Sequence, residues 1–187
     1  MPPEGLSRNA YYEAGLELLA DRGHSGLTIA ALCEQLGVTK GSFYHHFGDM
    51  AGYVALLLGH WEAEHATRLI ALSESVSDPE ERFDLLQKIA VGLPHGAEAA
   101  IRAWSWNSAL VAAAQQRVDE ARLSHLTRAG VDAGLGPARA WRMARISLSV
   151  LIGMQLLERP AQRASMEDVF GELRHWMAVE DPAAIAL

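Results

Sequence analysis

A single cysteine, Cys33, stands in a chain of 187 residues, so no internal disulfide can form and no thiolate cluster can hold zinc. A long apolar run is also missing. The longest nearly apolar stretch, Ile146 to Leu157, falls short of the roughly 20 residues a membrane-spanning helix needs. The first twenty residues carry Glu4, Glu13 and Glu17 and lack a basic start leading into an apolar core, so no signal peptide is expected. The expected compartment is the reducing cytoplasm. Positive charge is short too: 16 Lys and Arg stand against 23 Asp and Glu, for a net charge of −7. That balance excludes a protein that coats nucleic acid by bulk attraction, and leaves room only for a local site. No glycine-rich phosphate loop occurs, and Cys33 reads as a buried structural thiol rather than a nucleophile, so an enzyme is left without residues. What is plentiful is apolar surface: 50% hydrophobic residues exclude a disordered regulator and suffice for one large or two small packed units.

Strand-like alternation bounded by turn pairs is absent, and periods of three to four dominate, so the chain reads as all-α. Tyr11, Ala14, Leu18 and Leu19 share one face of a first helix, about Ser7 to Arg22, which Gly23 stops. Thr28 is placed to cap a short second helix with Ile29, Leu32 and Leu36 on its apolar stripe, ended by Gly37. Cys33 falls on or beside that stripe and reads as a buried thiol. Thr39 caps a third helix, in which Phe43 and Phe47 lie four apart before Gly48. From Asp49 a fourth helix is expected to run past residue 70 without a break. Further on, Asp78 and Pro79 start a helix that Leu93 to Gly96 end. A segment holding Ile101, Trp104 and Leu110 leads into a long amphipathic run over 108–129. Gly134 to Pro137 stop that run and start a helix to Leu157 or Glu158, broken by Pro160. Ser165 with Asp168 imitates a capping box for a last helix through Trp176.

Two short helices joined by about three residues and backed by a longer one form a helix-turn-helix unit, whose second helix suits a DNA major groove. With Phe43 and Phe47 buried, the other face offers Thr39, Lys40, Ser42, Tyr44, His45 and His46, all donors, and Gly41 permits close backbone approach. Spacing alone leaves a three-helix bundle with a polar surface equally open. The run Gly37-Val38-Thr39-Lys40-Gly41-Ser42-Phe43-Tyr44-His45-His46-Phe47, preceded by Leu27-Thr28-Ile29 and Ala31-Leu32, resembles the DNA-binding signature of the tetracycline-repressor (TetR) family. The resemblance implies that Thr39, Lys40, Gly41, Ser42 and His45 face bases, that Tyr44 and His46 hold phosphates, and that Thr28 sets the second helix's start against a phosphate. It further implies a homodimer on a two-fold symmetric duplex operator, with the chain acting as a ligand-responsive repressor. Two features depart from the family pattern. The lysine often found early in the fourth helix is replaced here by Gly48-Asp49-Met50-Ala51, and the second helix has no basic residue. Residues 1–48 carry Arg8, Arg22 and Lys40 against Glu4, Glu13, Glu17, Asp21 and Glu34, a net charge of −2.

Residues 1–48 are thus expected to form the DNA-binding domain, and 49–187 a helical domain for effector binding and dimerisation. Trp61, Trp104, Asn107, Met143, Ser147 and Met154 are candidates for a largely apolar effector pocket, with core packing as the alternative for each. The last two long helices, carrying Leu148, Leu151, Ile152, Leu156, Val169, Phe170, Leu173 and Trp176, offer more apolar surface than a monomer readily covers, and are the expected dimer contact. Arg139, Arg142 and Arg145 recur every three residues and read as a solvated face. His60, Glu64 and His65 lack the i, i+4 histidine pair of a zinc helix, so no metal or other cofactor is expected. The rival reading is a helical small-molecule-binding protein whose DNA affinity is weak or lost.

Overall fold

The computed structural model describes residues 6–157 and 163–179, and these are helical with no strand among them. Helix α1 spans Arg8–Gly26, with Gly23 at φ 66° and ψ −173° marking a kink near its end, where the sequence places a stop. Then follow α2, Ile29–Leu36, and α3, Lys40–Phe47. Helix α4, Met50–Glu62, passes through a π-helical stretch, Ala63–Thr67, into α5, Arg68–Glu74. The rest of the order is α6, Pro79–Val91; α7, His95–Ser105; α8, Ala109–Asp132; α9, Pro137–Leu157; and α10, Arg163–Val179.

The caps read from the sequence at Thr28, Thr39 and Asp78 are made, and Asp49 adds one at the start of α4. Thr28 Oγ1 accepts from the Ala31 amide at 3.1 Å, Thr39 Oγ1 from Ser42 at 3.4 Å, and the Asp49 and Asp78 carboxylates from Gly52 and Glu81 at 2.7 and 2.9 Å. Each satisfies an amide that the first helical turn leaves without a partner. Between α2 and α3, Gly37 adopts the left-handed conformation at φ 65°, ψ 32°, which a Cβ would strain.

Three boundaries differ from expectation. The fourth helix is not a uniform 3.6-residue helix, because Ala63–Thr67 winds more widely. Helix α7 already begins at His95, so Gly96 does not end a helix. A Cβ on Gly96 would sit 2.9 Å from the Ala20 Cβ, and the glycine is what lets α7 lie close against α1. Ser165 lies inside α10 rather than capping it. The break expected at Pro160 falls outside the described residues.

The chain packs as two compact units. The first takes residues 1–68 and 94–119, so α7 and the start of α8 join the three N-terminal helices and α4, a division that differs from the boundary at residue 48. Its core runs from Tyr11, Leu19 and Leu32 through Phe43, Tyr53 and Leu57 to Trp61, Ile101 and Val111, all fully buried. The second takes 69–93 and 120–187. Its core is Val91, Leu93, Leu148, Leu151, Met166 and Phe170, with Leu69, Leu123, Ile152, Met154 and Leu173 partly buried around it. No described helix is long and apolar enough to cross a membrane.

Candidate nucleic-acid interface

An aromatic cluster holds α3 on its scaffold. Tyr11 of α1 meets Phe43 and Phe47 edge-on with ring centroids 6.1 and 5.1 Å apart, Phe43 and Phe47 lie 5.2 Å from each other, and Tyr53 of α4 completes the group at 5.4 and 5.0 Å. Such pairs add about 0.5–1.5 kcal/mol each beyond burial and favour fixed mutual angles, so α3 rests on a stiff base. Cys33 on α2 is buried under the same cluster, and that burial raises its thiol above the usual range despite Lys40 nearby, so it stays protonated and inert.

The outer face of α3 presents Lys40, Gly41, Tyr44 and His45, with Thr39 at its start and Thr28 at the start of α2. Tyr44 is 49% exposed. Six of the eight residues expected to meet DNA are therefore solvent-facing around one short helix and its neighbour's N-terminus. The threonine hydroxyl oxygens accept the cap bonds and keep their protons for an outside acceptor.

Two of the eight differ. Ser42 is half-buried, with its Oγ 2.9 Å from the Tyr11 hydroxyl, and His46 is half-buried with its ring 5.5 Å from that of Tyr11. Both side chains are partly exposed and stand at the edge of the open face rather than at its centre. The reason lies in helix geometry: residues 42, 43, 46 and 47 follow the i, i+1, i+4, i+5 pattern of a single stripe, so the neighbours of two buried phenylalanines turn inward with them. Arg8 was not singled out from the sequence. It is exposed, and its Nη2 donates to the His46 carbonyl at 3.0 Å, placing a second guanidinium or ammonium group beside the recognition helix in addition to Lys40.

The expected effector residues fall in both units. Trp61 is wholly buried in the first core, Trp104 is half-buried there with His24 stacked on it at 5.6 Å, and Asn107 is exposed. Met154 packs against the second core. Of these candidates, Met143 and Ser147 line a cavity of the second unit, about 300 Å³ in volume, with Phe83, Leu126, Leu135 and Arg139. Arg174 at its edge pairs with Asp84. Of the arginine series, Arg139 reaches this cavity, whereas Arg145 lies over the Trp141 ring at 5.4 Å. In the first unit, Arg102 grips Asp119 with two hydrogen bonds of 2.9 and 2.8 Å. Near this pair Gln115 donates to Asp119 at 3.1 Å, yet Gln115 Oε1, Arg102 Nε and Trp61 Nε1 are buried with no hydrogen-bond partner among the described residues. His60 is half-buried and bonds Glu13 at 3.2 Å while stacking on Tyr12.

Comparison with known proteins agrees with this geometry. Residues 12–55 match the family model described as bacterial regulatory proteins, tetR family, a range that covers α2, α3, most of α1 from Tyr12 on and the start of α4 with Tyr53. The transcriptional regulator AcuR of Cereibacter sphaeroides is 31% identical over 68 residues, 36% of this chain and 31% of its own length. The match thus spans about a third of that relative. A TetR transcriptional regulator from Legionella pneumophila has the same fold, with a TM-score of 0.74 at 12% identity, over 94% of this chain and 97% of that one. The multidrug binding protein EbrR, in its complex with malachite green, aligns with a TM-score of 0.61 at 18% identity, over 89% and 96% of the two chains. Residues 12–55, which hold the recognition helix, are thus similar to the tetR family of bacterial regulatory proteins, and the chain shares the fold of solved TetR-type regulators along nine-tenths of its length.

Proposed function

We propose that the protein is a ligand-responsive transcriptional repressor that binds a two-fold symmetric DNA operator as a homodimer. The observation that carries this reading is the face of α3: a row of donors, Thr39, Lys40, Tyr44 and His45, around a glycine, on a helix whose opposite side is locked into an aromatic core. Donors on a rigid helix of eight residues suit base edges in a major groove, and the free amides and hydroxyl at the start of α2 suit a phosphate. With a head of net charge −2, affinity rests on few contacts and on their doubling in a dimer. Binding of a fluorescent duplex pool across a salt series tests it: log affinity falls linearly with log salt, and Lys40→Ala weakens binding and relaxes its sequence preference. No binding at low salt would leave the chain as a small-molecule-binding protein.

The effector's seat is the cavity of the second unit, whose apolar lining with Arg139 and Ser147 has the composition of ligand sites. EbrR, bound to malachite green, is a relative in fold that holds an aromatic small molecule. Anilinonaphthalene sulfonate, an apolar anion, is expected to brighten with the parent and not with Ser147→Trp, which fills the space. A polar effector has a second candidate seat beside the Arg102–Asp119 pair, where Arg102 Nε and Gln115 Oε1 are buried without partners among the described residues. Loss of the ligand response in Gln115→Leu but not in Ser147→Trp would assign it there. In either seat the effector weakens operator binding only by as much as it prefers the released arrangement.

A further inference from the structure

We infer that Ser42 is a positioning residue rather than a base reader, held by the hydroxyl of Tyr11, whose backbone carbonyl is in turn held by the buried Tyr53, and that base reading rests on Thr39, Lys40 and His45. The inference builds on the DNA-binding reading above and concerns which side chains of that face do the reading.

These ties begin in the core of the first unit. Tyr53 on α4 is fully buried, and its hydroxyl donates to the Tyr11 carbonyl on α1 at 2.7 Å. Space for that hydroxyl exists because residue 15 is glycine: a Cβ there would lie 2.0 Å from the Tyr53 oxygen and 3.3 Å from Leu57 Cδ2. A phenylalanine at 53 would fill the same apolar volume without the polar atom, so what the hydroxyl adds is a directional tie between α4 and α1. Burial keeps this phenol protonated well above the ordinary range, with Tyr12 adding to the effect, so it remains a donor. One side chain further, the Tyr11 hydroxyl lies 2.9 Å from Ser42 Oγ in the first turn of α3. At the other end of α3, Arg8 from the same helix α1 bonds the His46 carbonyl at 3.0 Å.

Helix α1 therefore grips the recognition helix by a hydrogen bond at each end. Phe43 and Phe47 hold α3 on its aromatic base between those ends, and the hydrogen bonds, which weaken steeply when misaligned, add a directional tie at each end. The two ties set the angle at which Lys40, Tyr44 and His45 face outward. Ser42, half-buried and engaged with Tyr11, is committed to that role.

The test is duplex selection and affinity measurement with the parent, Ser42→Ala, Tyr11→Phe, Tyr53→Phe and the Ser42→Ala/Tyr11→Phe double variant, each expressed per folded molecule. The expected result is an unchanged selected sequence and salt slope, with affinity about fivefold weaker in each single variant and no weaker in the double than in either of its singles. Loss of preference at one base position in Ser42→Ala, or losses that multiply in the double variant, would overturn the assignment. If the parent selects no duplex, it is the DNA-binding reading that fails. The tie between Tyr11 and Ser42 is then read by urea unfolding of the same proteins, where non-additive shifts of Ser42→Ala and Tyr11→Phe support it and additive shifts overturn it.

Discussion

Buried polar residues decide how much of the chain's chemistry is available to a partner and how much is spent inside. Ser42 and His46 are partly turned inward, and the sequence held the signal for it. Residues 42, 43, 46 and 47 fall on one helical stripe, but the donor inventory drew attention to side-chain type ahead of that spacing. Arg8 and Tyr11 were not legible as partners of α3, because their contacts join residues more than thirty positions apart and no local rule brings them together. His125 in the second unit follows the same logic. It is almost fully buried on α8, its Nε2 is 2.6 Å from Ser73 Oγ of α5, and its Nδ1 faces Glu74 of α5 at 3.6 Å and Arg128 at 3.4 Å. Burial pushes its titration below the usual 6.5 against the pull of Glu74, with Arg128 and Arg82 of α6 reinforcing the shift and Arg82 itself paired to Asp132. The folded state then holds fewer protons than the unfolded state, so the contribution of His125 is complete above about pH 6.5 and fades as pH falls below it. Thermal unfolding between about pH 8 and about pH 5 is expected to show this acid loss, and His125→Gln to flatten it. A parent midpoint that rises on acidification would contradict the neutral buried state.

At the scale of the element, caps and stops transferred almost unchanged from sequence to structure. Thr28, Thr39, Asp49 and Asp78 are local signals whose hydrogen bonds reach only three residues ahead. Close helix packing was not legible: Gly96 carries the same letter as a helix stop, and only its neighbour Ala20, far away in sequence, makes it a contact residue. The same holds for the wide turn at Ala63–Thr67, which leaves no mark in an apolar period that continues through it. This stretch bears on switching. Helical backbone runs from Met50 to Glu74, and the chain passes from the first unit to the second within it, at residue 68. If that run carries the effector signal, Gly-Gly-Gly inserted between the exposed Thr67 and Arg68 uncouples ligand from DNA while each is still bound, seen as ligand-independent operator affinity. A full ligand response in the insertion variant would remove the helical run from the account.

For the whole molecule, the division of apolar surface sets the expectation for assembly. Leu148, Leu151 and Phe170, read from the sequence as dimer contacts, are buried within the second unit's own core. Leu156, Leu157 and Trp176 stay exposed, Leu157 at 85% and Trp176 at 45%. Counting apolar residues on α9 and α10 could not separate the two uses, since both faces of a helix between a core and a partner are apolar. If the dimer forms through the exposed remainder, Trp176→Glu weakens self-association at least tenfold by sedimentation and leaves the fold intact; an unchanged dimer would place the contact elsewhere. A monomeric variant would also lose operator affinity, because the few contacts of an acidic head count double only in a pair. The account rests on the α3 face reading DNA, and selection of duplexes from a random pool at moderate salt tests that most directly, with Lys40→Ala alongside the parent. The account predicts a two-fold symmetric sequence enriched by the parent and lost or relaxed with Lys40→Ala. A parent that enriches nothing even at low salt, or a variant that enriches the same sequence equally well, would contradict it.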